Sequence, residues 1–101
     1  MVWRIEFDPR AVKELAKLDQ PIQRRIVKVL KDRIACLDDP RSIGEALRGE
    51  ELGRFWKYRI GPYGIICDIR DEEIVILVLR IGDRKEIYKN PQVNRRDWIP
   101  T

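Results

Sequence analysis

The stretch RFWKYRIGPYGIICDIRDEEIVILVLRI, residues 54–81, decides the fold because its pattern predicts three consecutive β-strands joined by short turns. Its first segment, Arg54 to Ile60, alternates between two faces, as the side chains of a strand do. The face that we expect to pack inward consists of Trp56, Tyr58 and Ile60. The opposite face consists of Phe55, Lys57 and Arg59. The two basic residues are therefore predicted to share the outer face of the sheet.

The second and third strands are predicted over Tyr63 to Ile69 and Glu73 to Ile81. The connection between them, RDE at residues 70–72, is short and charged, which is typical of a β-hairpin. The apolar run from Ile74 to Leu79 has the composition of a central strand. These three strands are expected to form an antiparallel meander.

A further strand and two helices are predicted ahead of this meander. Residues Trp3 to Phe7 alternate like a half-buried strand, and Asp8 with Pro9 then provides a helix start. Asp19 and Pro21 repeat that signal, and the sequence DDP at residues 38–40 ends the second helix. The apolar face predicted for the first helix consists of Val12, Leu15, Ala16 and Leu18. The apolar face predicted for the second helix consists of Ile22, Ile26, Val29, Leu30, Ile34 and Leu37.

The order β-α-α-β-β-β predicts an α+β fold in which two N-terminal helices pack on one face of a small, mainly antiparallel four-stranded sheet. We expect residues 1–88 to form one domain and residues 89–101 to be a flexible tail. The other face of the sheet would be left open. Arg84 and Tyr88, in the stretch RIGDRKEIY that ends the last strand, are placed to reach that face beside Lys57 and Arg59.

Composition limits the range of functions. The chain has 101 residues, a net charge of +4 and no histidine, which predicts a single basic domain with a bias towards polyanionic partners. It has no run of about 18 apolar residues and a charged N-terminal stretch, so we expect a cytoplasmic protein. Cys36 and Cys67 lack paired spacing, and we expect both to be reduced and buried, not metal ligands.

Two segments together carry a resemblance to a known family. They are IGEALRGEELGRFWKYRIGPYGIICDI, residues 43–69, and RIGDRKEIY, residues 80–88. They resemble the RelE branch of the RelE/ParE superfamily of bacterial toxins, which shows an L-(R/K)-G loop, a W-(K/R)-x-(R/K) strand, a Y-R strand start and a terminal G-H-R-x-x-(V/I)-Y. The resemblance extends over residues 2–88, with the elements in the same order.

The resemblance implies a ribosome-dependent endoribonuclease that cleaves mRNA in the A site and is inhibited by a cognate, RelB-like antitoxin. In such toxins the ribose 2′-OH attacks the adjacent phosphate, and the reaction needs neither a metal nor another cofactor. The motif carries the catalytic role over to Lys57, Arg59, Arg84 and Tyr88. Residues that we expect to contact ribosomal RNA or mRNA through phosphates are Arg24, Arg25, Lys28, Arg48 and Lys85.

The chemistry of these side chains is consistent with RNA cleavage. The reaction needs a base for the 2′-OH, an acid for the leaving 5′-oxygen and positive charge at the phosphorane. With no histidine in the chain, Lys57 is a candidate base, while the arginines hold phosphate and Tyr88 stacks on a base or assists proton transfer. Taken singly, these residues would be a solvated strand face and an edge tyrosine, as the cations of the second helix would be a solvated helix face. Their spacing together favours a site.

Two departures from the family pattern affect this hypothesis. Gly64 follows Tyr63 where the family has arginine, and Asp83 stands where histidine is common. The missing arginine predicts weakened cleavage, and it predicts that Gly64→Arg would restore a phosphate contact worth about 10²–10³ in rate. It also keeps two alternatives open: a ParE-like gyrase inhibitor that does not cut nucleic acid, and an inactive module that binds RNA or antitoxin.

Overall fold

A computed structural model describes residues 2–47, 54–89 and 91. The predicted tail beyond Pro91 and the predicted RNA contact Arg48 lie outside these ranges. The helices are α1 (Pro9–Ala16), α2 (Gln20–Lys28) with a π-helical continuation (Val29–Ile34), a short 3₁₀ helix (Pro40–Ile43) and α3 (Arg84–Lys89). The strands are β1 (Arg4–Phe7), β2 (Glu45–Ala46), β3 (Phe55–Ile60), β4 (Tyr63–Arg70) and β5 (Val75–Asp83).

The described strands form one mixed sheet in the order β1-β5-β4-β3-β2. β1 runs parallel to β5, whereas the other neighbours are antiparallel. The predicted α+β class and the mainly antiparallel meander are confirmed. Besides the 3₁₀ helix, two elements were not predicted: β2, a fifth strand of two residues, and α3, which contains six. Both are too short to show the repeat of a strand or a helix in the sequence.

The first helix presents a different face from the one predicted. Asp8 caps α1 as expected, since its side chain accepts a hydrogen bond from the Arg10 N–H at 2.9 Å. Ala11 is fully buried, however, whereas Val12 is 51% exposed and Ala16 is exposed as well. The smallest apolar side chain therefore takes the position closest to the sheet, and the larger Val12 points away from it. The predicted face was wrong at Val12 and Ala16.

The second helix packs as predicted at its centre. Ile26, Leu30 and Ile34 are buried against the sheet. Beyond Lys28 the helix widens into a π-helical segment, in which the Ala35 N–H donates to the Leu30 carbonyl at 2.8 Å. The prediction for the cysteines holds only for Cys67: both thiols are free, but Cys36 is exposed on the segment that follows the helix.

The two sheet faces carry separate apolar clusters. The helix-side face, whose core includes Tyr58, Ile65 and Ile76, is covered by α1 and α2. The opposite face, predicted to be open, is open only in part, because α3 packs Ile87 onto it beside Leu47. A short amphipathic helix that directly follows β5 provides this cover. The described residues leave the region around Lys57 and Arg59 uncovered on this face.

A partly buried ion pair fixes α1 to β5. The Arg80 guanidinium contacts the Glu14 carboxylate at 2.9 Å, with 11% and 20% of the two side chains exposed. The Glu14 carboxylate also accepts a hydrogen bond from the Ile81 N–H, and Arg80 donates to the Pro91 carbonyl. Arg80 thus joins the first helix to the chain that follows α3.

Within the described residues, no helix is both long and apolar enough to cross a membrane.

Candidate functional site

An open cavity of about 530 Å³ lies on the partly covered face of the sheet, between β2, β3 and α3. The described residues that line it are Ile43, Glu45, Lys57, Arg59, Arg84, Lys85, Tyr88 and Lys89. Five of these side chains are cationic and one is a carboxylate. The four residues carried over from the family motif and the predicted RNA contact Lys85 therefore meet in one place, although β3 and α3 are distant in sequence.

Strand alternation and a helix start bring these residues together. Lys57 and Arg59 project from one face of β3, as their spacing predicts. Directly after β5 the chain turns into α3, whose first residue, Arg84, donates its N–H to the Pro62 carbonyl at 3.1 Å. The Asp83 side chain accepts a hydrogen bond from the Lys85 N–H at 2.9 Å. Asp83, which departs from the family pattern, thus satisfies a free N–H at the beginning of the helix.

Tyr88 is held in the cavity by contacts of both its hydroxyl and its ring. Its hydroxyl donates a hydrogen bond to the Tyr58 carbonyl at 2.6 Å, and the Lys57 ammonium lies over its ring, 4.9 Å from the centroid. Burial raises the pKa of Tyr88 to about 12, with a smaller opposing effect from the Arg84 charge. The phenol is therefore neutral at physiological pH, and its proton points at the backbone of β3.

Sequence reasoning missed Glu45. It lies on β2 directly opposite Lys57 of β3, and its carboxylate is 3.6 Å from the Lys57 ammonium. The Lys57 side chain is 26% exposed, whereas that of Glu45 is 80% exposed. Of the cavity-lining residues that the structure describes, Glu45 is the one carboxylate, so it is the group best able to accept a proton. A strand of two residues gives no pattern from which this pairing could be predicted.

The predicted cations of the second helix lie away from the cavity. Arg24, Arg25 and Lys28 are exposed on α2, and none of them lines it. The Arg25 guanidinium stands beside the turn between β3 and β4, 3.6 Å from the position that a Cβ on Gly61 would take. These residues thus form a separate basic surface on the helical side of the molecule.

The structure does not place a gap at Gly64. This residue is buried in β4, opposite Arg59 of β3 and Gly82 of β5. A Cβ on Gly64 would lie 2.6 Å from Cε1 and 2.7 Å from Cζ of Tyr88, closer than real Cβ atoms approach other carbon atoms. The tyrosine ring already fills the space that we expected to be vacant. The effect of Gly64→Arg on cleavage stays a prediction, but a side chain at this position would first meet the Tyr88 ring.

Comparison with known proteins places most of the chain in one family. Residues 5–88 match the family model described as the ParE toxin of the type II toxin-antitoxin system parDE. The chain is 31% identical over 90 residues to the mRNA interferase toxin RelE of Escherichia coli K12, covering 87% of this chain and 92% of that protein. It is 29% identical over 89 residues to Toxin RelG of Mycobacterium tuberculosis, covering 88% and 99% of the two chains.

Solved structures agree with this assignment. A chain of the toxin-antitoxin complex RelBE2 from Mycobacterium tuberculosis superimposes with a TM-score of 0.75 and 26% identity, covering 85% of this chain and 95% of that one. A chain of the intact Escherichia coli RelBE complex gives a TM-score of 0.62 and 25% identity, with coverage of 80% and 95%. The similarity thus extends over most of the chain.

Proposed function

Because this chain belongs to the ParE toxin family of type II toxin-antitoxin systems, and within it to the RelE branch, we propose that it cleaves mRNA in the ribosomal A site. The observation that carries this proposal is the cavity itself. It gathers Lys57, Arg59, Arg84 and Tyr88 around a space of about 530 Å³, with two further lysines at its rim. An RNA phosphate flanked by two nucleosides is a ligand of suitable charge for such a surface.

The reaction that we propose is a transesterification within the RNA strand. The ribose 2′-oxygen forms a bond to the adjacent phosphorus while the bond from phosphorus to the 5′-oxygen breaks. The 2′-OH proton passes to the Glu45 carboxylate, and the Lys57 ammonium, 3.6 Å away, gives a proton to the leaving oxygen. A proton transfer from Glu45 to Lys57 then restores both groups. The products are a 2′,3′-cyclic phosphate and a 5′-OH.

The arginines stabilise the charge that develops in this reaction. As phosphorus becomes five-coordinate, negative charge gathers on its non-bridging oxygens, and two guanidinium groups line the cavity, Arg59 from β3 and Arg84 from α3. Guanidinium groups donate paired hydrogen bonds to phosphate and remain charged at any physiological pH. Because both extend from regular elements, they need little reorganisation when the phosphate binds.

We also propose an antitoxin and the ribosome as partners. Two of the similar structures are toxin-antitoxin complexes, RelBE2 and RelBE, and an acidic segment of an antitoxin would neutralise the cations of the cavity. The exposed cations Arg24, Arg25 and Lys28 lie on another surface and are proposed contacts to ribosomal RNA. Arg48 and Lys85 are proposed as further RNA contacts.

Mapping of mRNA ends in a translation extract tests this function. We expect the purified chain to cut mRNA within codons in the A site, and only when ribosomes are translating it. Arg84→Ala should abolish the cuts, while Val12→Ala, a change on the outer surface of α1, serves as the matched control. Because the family model also describes ParE toxins, a gyrase supercoiling assay is run in parallel. Uncut mRNA with inhibited gyrase would favour the ParE-like alternative, and neither effect would favour an inactive binding module.

A further inference from the structure

Gly64 lies on β4, the middle strand of the sheet, directly beneath the ring of Tyr88, which lines the cavity. Its neighbours across the two ladders are Arg59 on β3 and Gly82 on β5. In an alternating strand the next position on the same face is Ile66, which is fully buried in the apolar cluster of this sheet face. Position 64 is thus where that cluster ends and the polar cavity begins.

The ring of Tyr88 occupies the space above Gly64. A Cβ at position 64 would approach Cε1, Cζ and Oη of Tyr88 to 2.6, 2.7 and 2.9 Å. The ring cannot withdraw without a cost, since its hydroxyl is hydrogen-bonded to the Tyr58 carbonyl at 2.6 Å. Any side chain at position 64 therefore displaces the ring and breaks that hydrogen bond.

We propose that Gly64 is a positioning residue, which seats the Tyr88 ring on the sheet so that the ring in turn holds the Lys57 ammonium over the cavity. The catalytic part of this inference rests on the proposed ribonuclease function, whereas the packing of the Tyr88 ring on Gly64 does not. The contact between Lys57 and the ring, 4.9 Å from nitrogen to centroid, is the link between the glycine and the reacting groups.

This arrangement also separates the two parts of Tyr88. The hydroxyl is committed to a backbone carbonyl, so it is not directed at a leaving oxygen. The ring, by contrast, is the surface that Lys57 contacts. Tyr88 therefore acts through the position of its ring and not as the proton donor. Glycine at position 64 is accordingly a requirement of this site, and no loss of a phosphate contact needs to be invoked.

The packing of the Tyr88 ring on Gly64 can be tested without any RNA. Tyr88 is surrounded by the charges of Glu45 on β2, Lys57 and Arg59 on β3 and Arg84 on α3, while Cys67 of β4 lies nearby. In the parent, NMR of ¹³C-labelled tyrosine Cζ should show Tyr88 titrating with a pKa of about 12. In Gly64→Ala the ring is displaced into water, so its pKa should fall towards the ordinary value of 10.0.

Gly82→Ala is the matched control for that titration. Its Cβ would meet the Ile87 side chain of α3 at 3.1 Å, so it disturbs the same helix but not the tyrosine ring. We expect the Tyr88 titration to be unchanged in this variant. An unchanged Tyr88 pKa in Gly64→Ala would overturn the proposed packing of the ring on Gly64. An equal fall of that pKa in both variants would overturn it as well.

Single-turnover cleavage then tests the consequence for the reaction. Gly64→Ala and Tyr88→Ala should each lower the cleavage rate about 10²-fold, because both leave Lys57 misplaced. The double variant should be no slower than either single one, and Tyr88→Phe, which keeps the ring, should lose much less than Tyr88→Ala. Additive losses in the double variant, or equal losses for Phe and Ala, would overturn the positioning role. If the parent itself cuts no RNA, the proposed function fails. The titration still decides whether the Tyr88 ring packs on Gly64 as proposed.

Discussion

Replacement of Glu45 by glutamine separates a catalytic from a structural role of this residue. Glutamine keeps the size and the hydrogen-bonding oxygen of the side chain but cannot accept a proton from a ribose hydroxyl. Glu45 is 80% exposed and lies 3.6 Å from the Lys57 ammonium. In water-like surroundings two charges at that distance attract by about 1 kcal/mol. Exposed pairs generally contribute about 0.2–1 kcal/mol to folding. The free energy of unfolding should therefore change by less than about 1 kcal/mol.

The effect on the reaction should be far larger. A positioned general base accelerates proton transfer about 10²–10⁴-fold, which corresponds to roughly 3–5 kcal/mol of activation free energy. Glu45→Gln should consequently cut RNA at least about 10²-fold more slowly while it folds and binds the ribosome as the parent does. The assay is single-turnover cleavage of a defined A-site codon at saturating toxin, together with urea unfolding of the same preparation. A cleavage rate within a few-fold of the parent would refute the assignment of the base to Glu45.

Three further predictions follow from the fold and the surface. The free energy of unfolding should fall as pH rises from 10.0 to about 12, because the pKa of Tyr88 is higher in the folded protein than in the unfolded chain. The stability that Tyr88 contributes through this difference is complete below pH 10.0 and is lost above about pH 12. Urea unfolding at several pH values should show a smaller fall in Tyr88→Phe. Ile26→Ala should destabilise the protein by about 2–5 kcal/mol, whereas Val12→Ala should change its stability by less than about 0.5 kcal/mol, as thermal and urea unfolding can measure. Replacement of the exposed α2 residues Arg24, Arg25 and Lys28 by glutamine should weaken ribosome binding and reduce the salt dependence of that binding without altering the cavity. Unchanged affinity in a sedimentation assay would leave them as a solvated helix face.

Features of the fold that depend on a local or periodic pattern of residues could be predicted from the sequence. Alternation in residues 54–60 correctly placed Lys57 and Arg59 on the cavity side of β3, because the face of a strand residue is fixed by its parity. The family motif led to Arg84 and Tyr88, which the structure brings into the same cavity. Helix starts at Asp8 and Asp19 were also predictable, since an aspartate followed closely by proline is a local signal, although of the two side chains Asp8 accepts a capping hydrogen bond and Asp19 does not.

Features that depend on contacts between distant residues could not be predicted in this way. Glu45 reaches Lys57 through a strand of two residues, which has no periodicity. Ala11 and Val12 are adjacent and both apolar, so the choice between them depends on the space above β5. At Gly64 the sequence shows that a side chain is missing, but only the structure shows that Tyr88 fills its place.

Analysis of the RNA ends made on a programmed ribosome tests the central claim most directly. An mRNA with a defined codon in the A site is incubated with the purified chain, with ribosomes and without them, and the ends of the fragments are determined. We predict cleavage within that codon only when ribosomes are present, with a 2′,3′-cyclic phosphate on one fragment and a 5′-OH on the other. Intact mRNA on the programmed ribosome, under conditions where the folded chain is shown to bind it, would contradict the account.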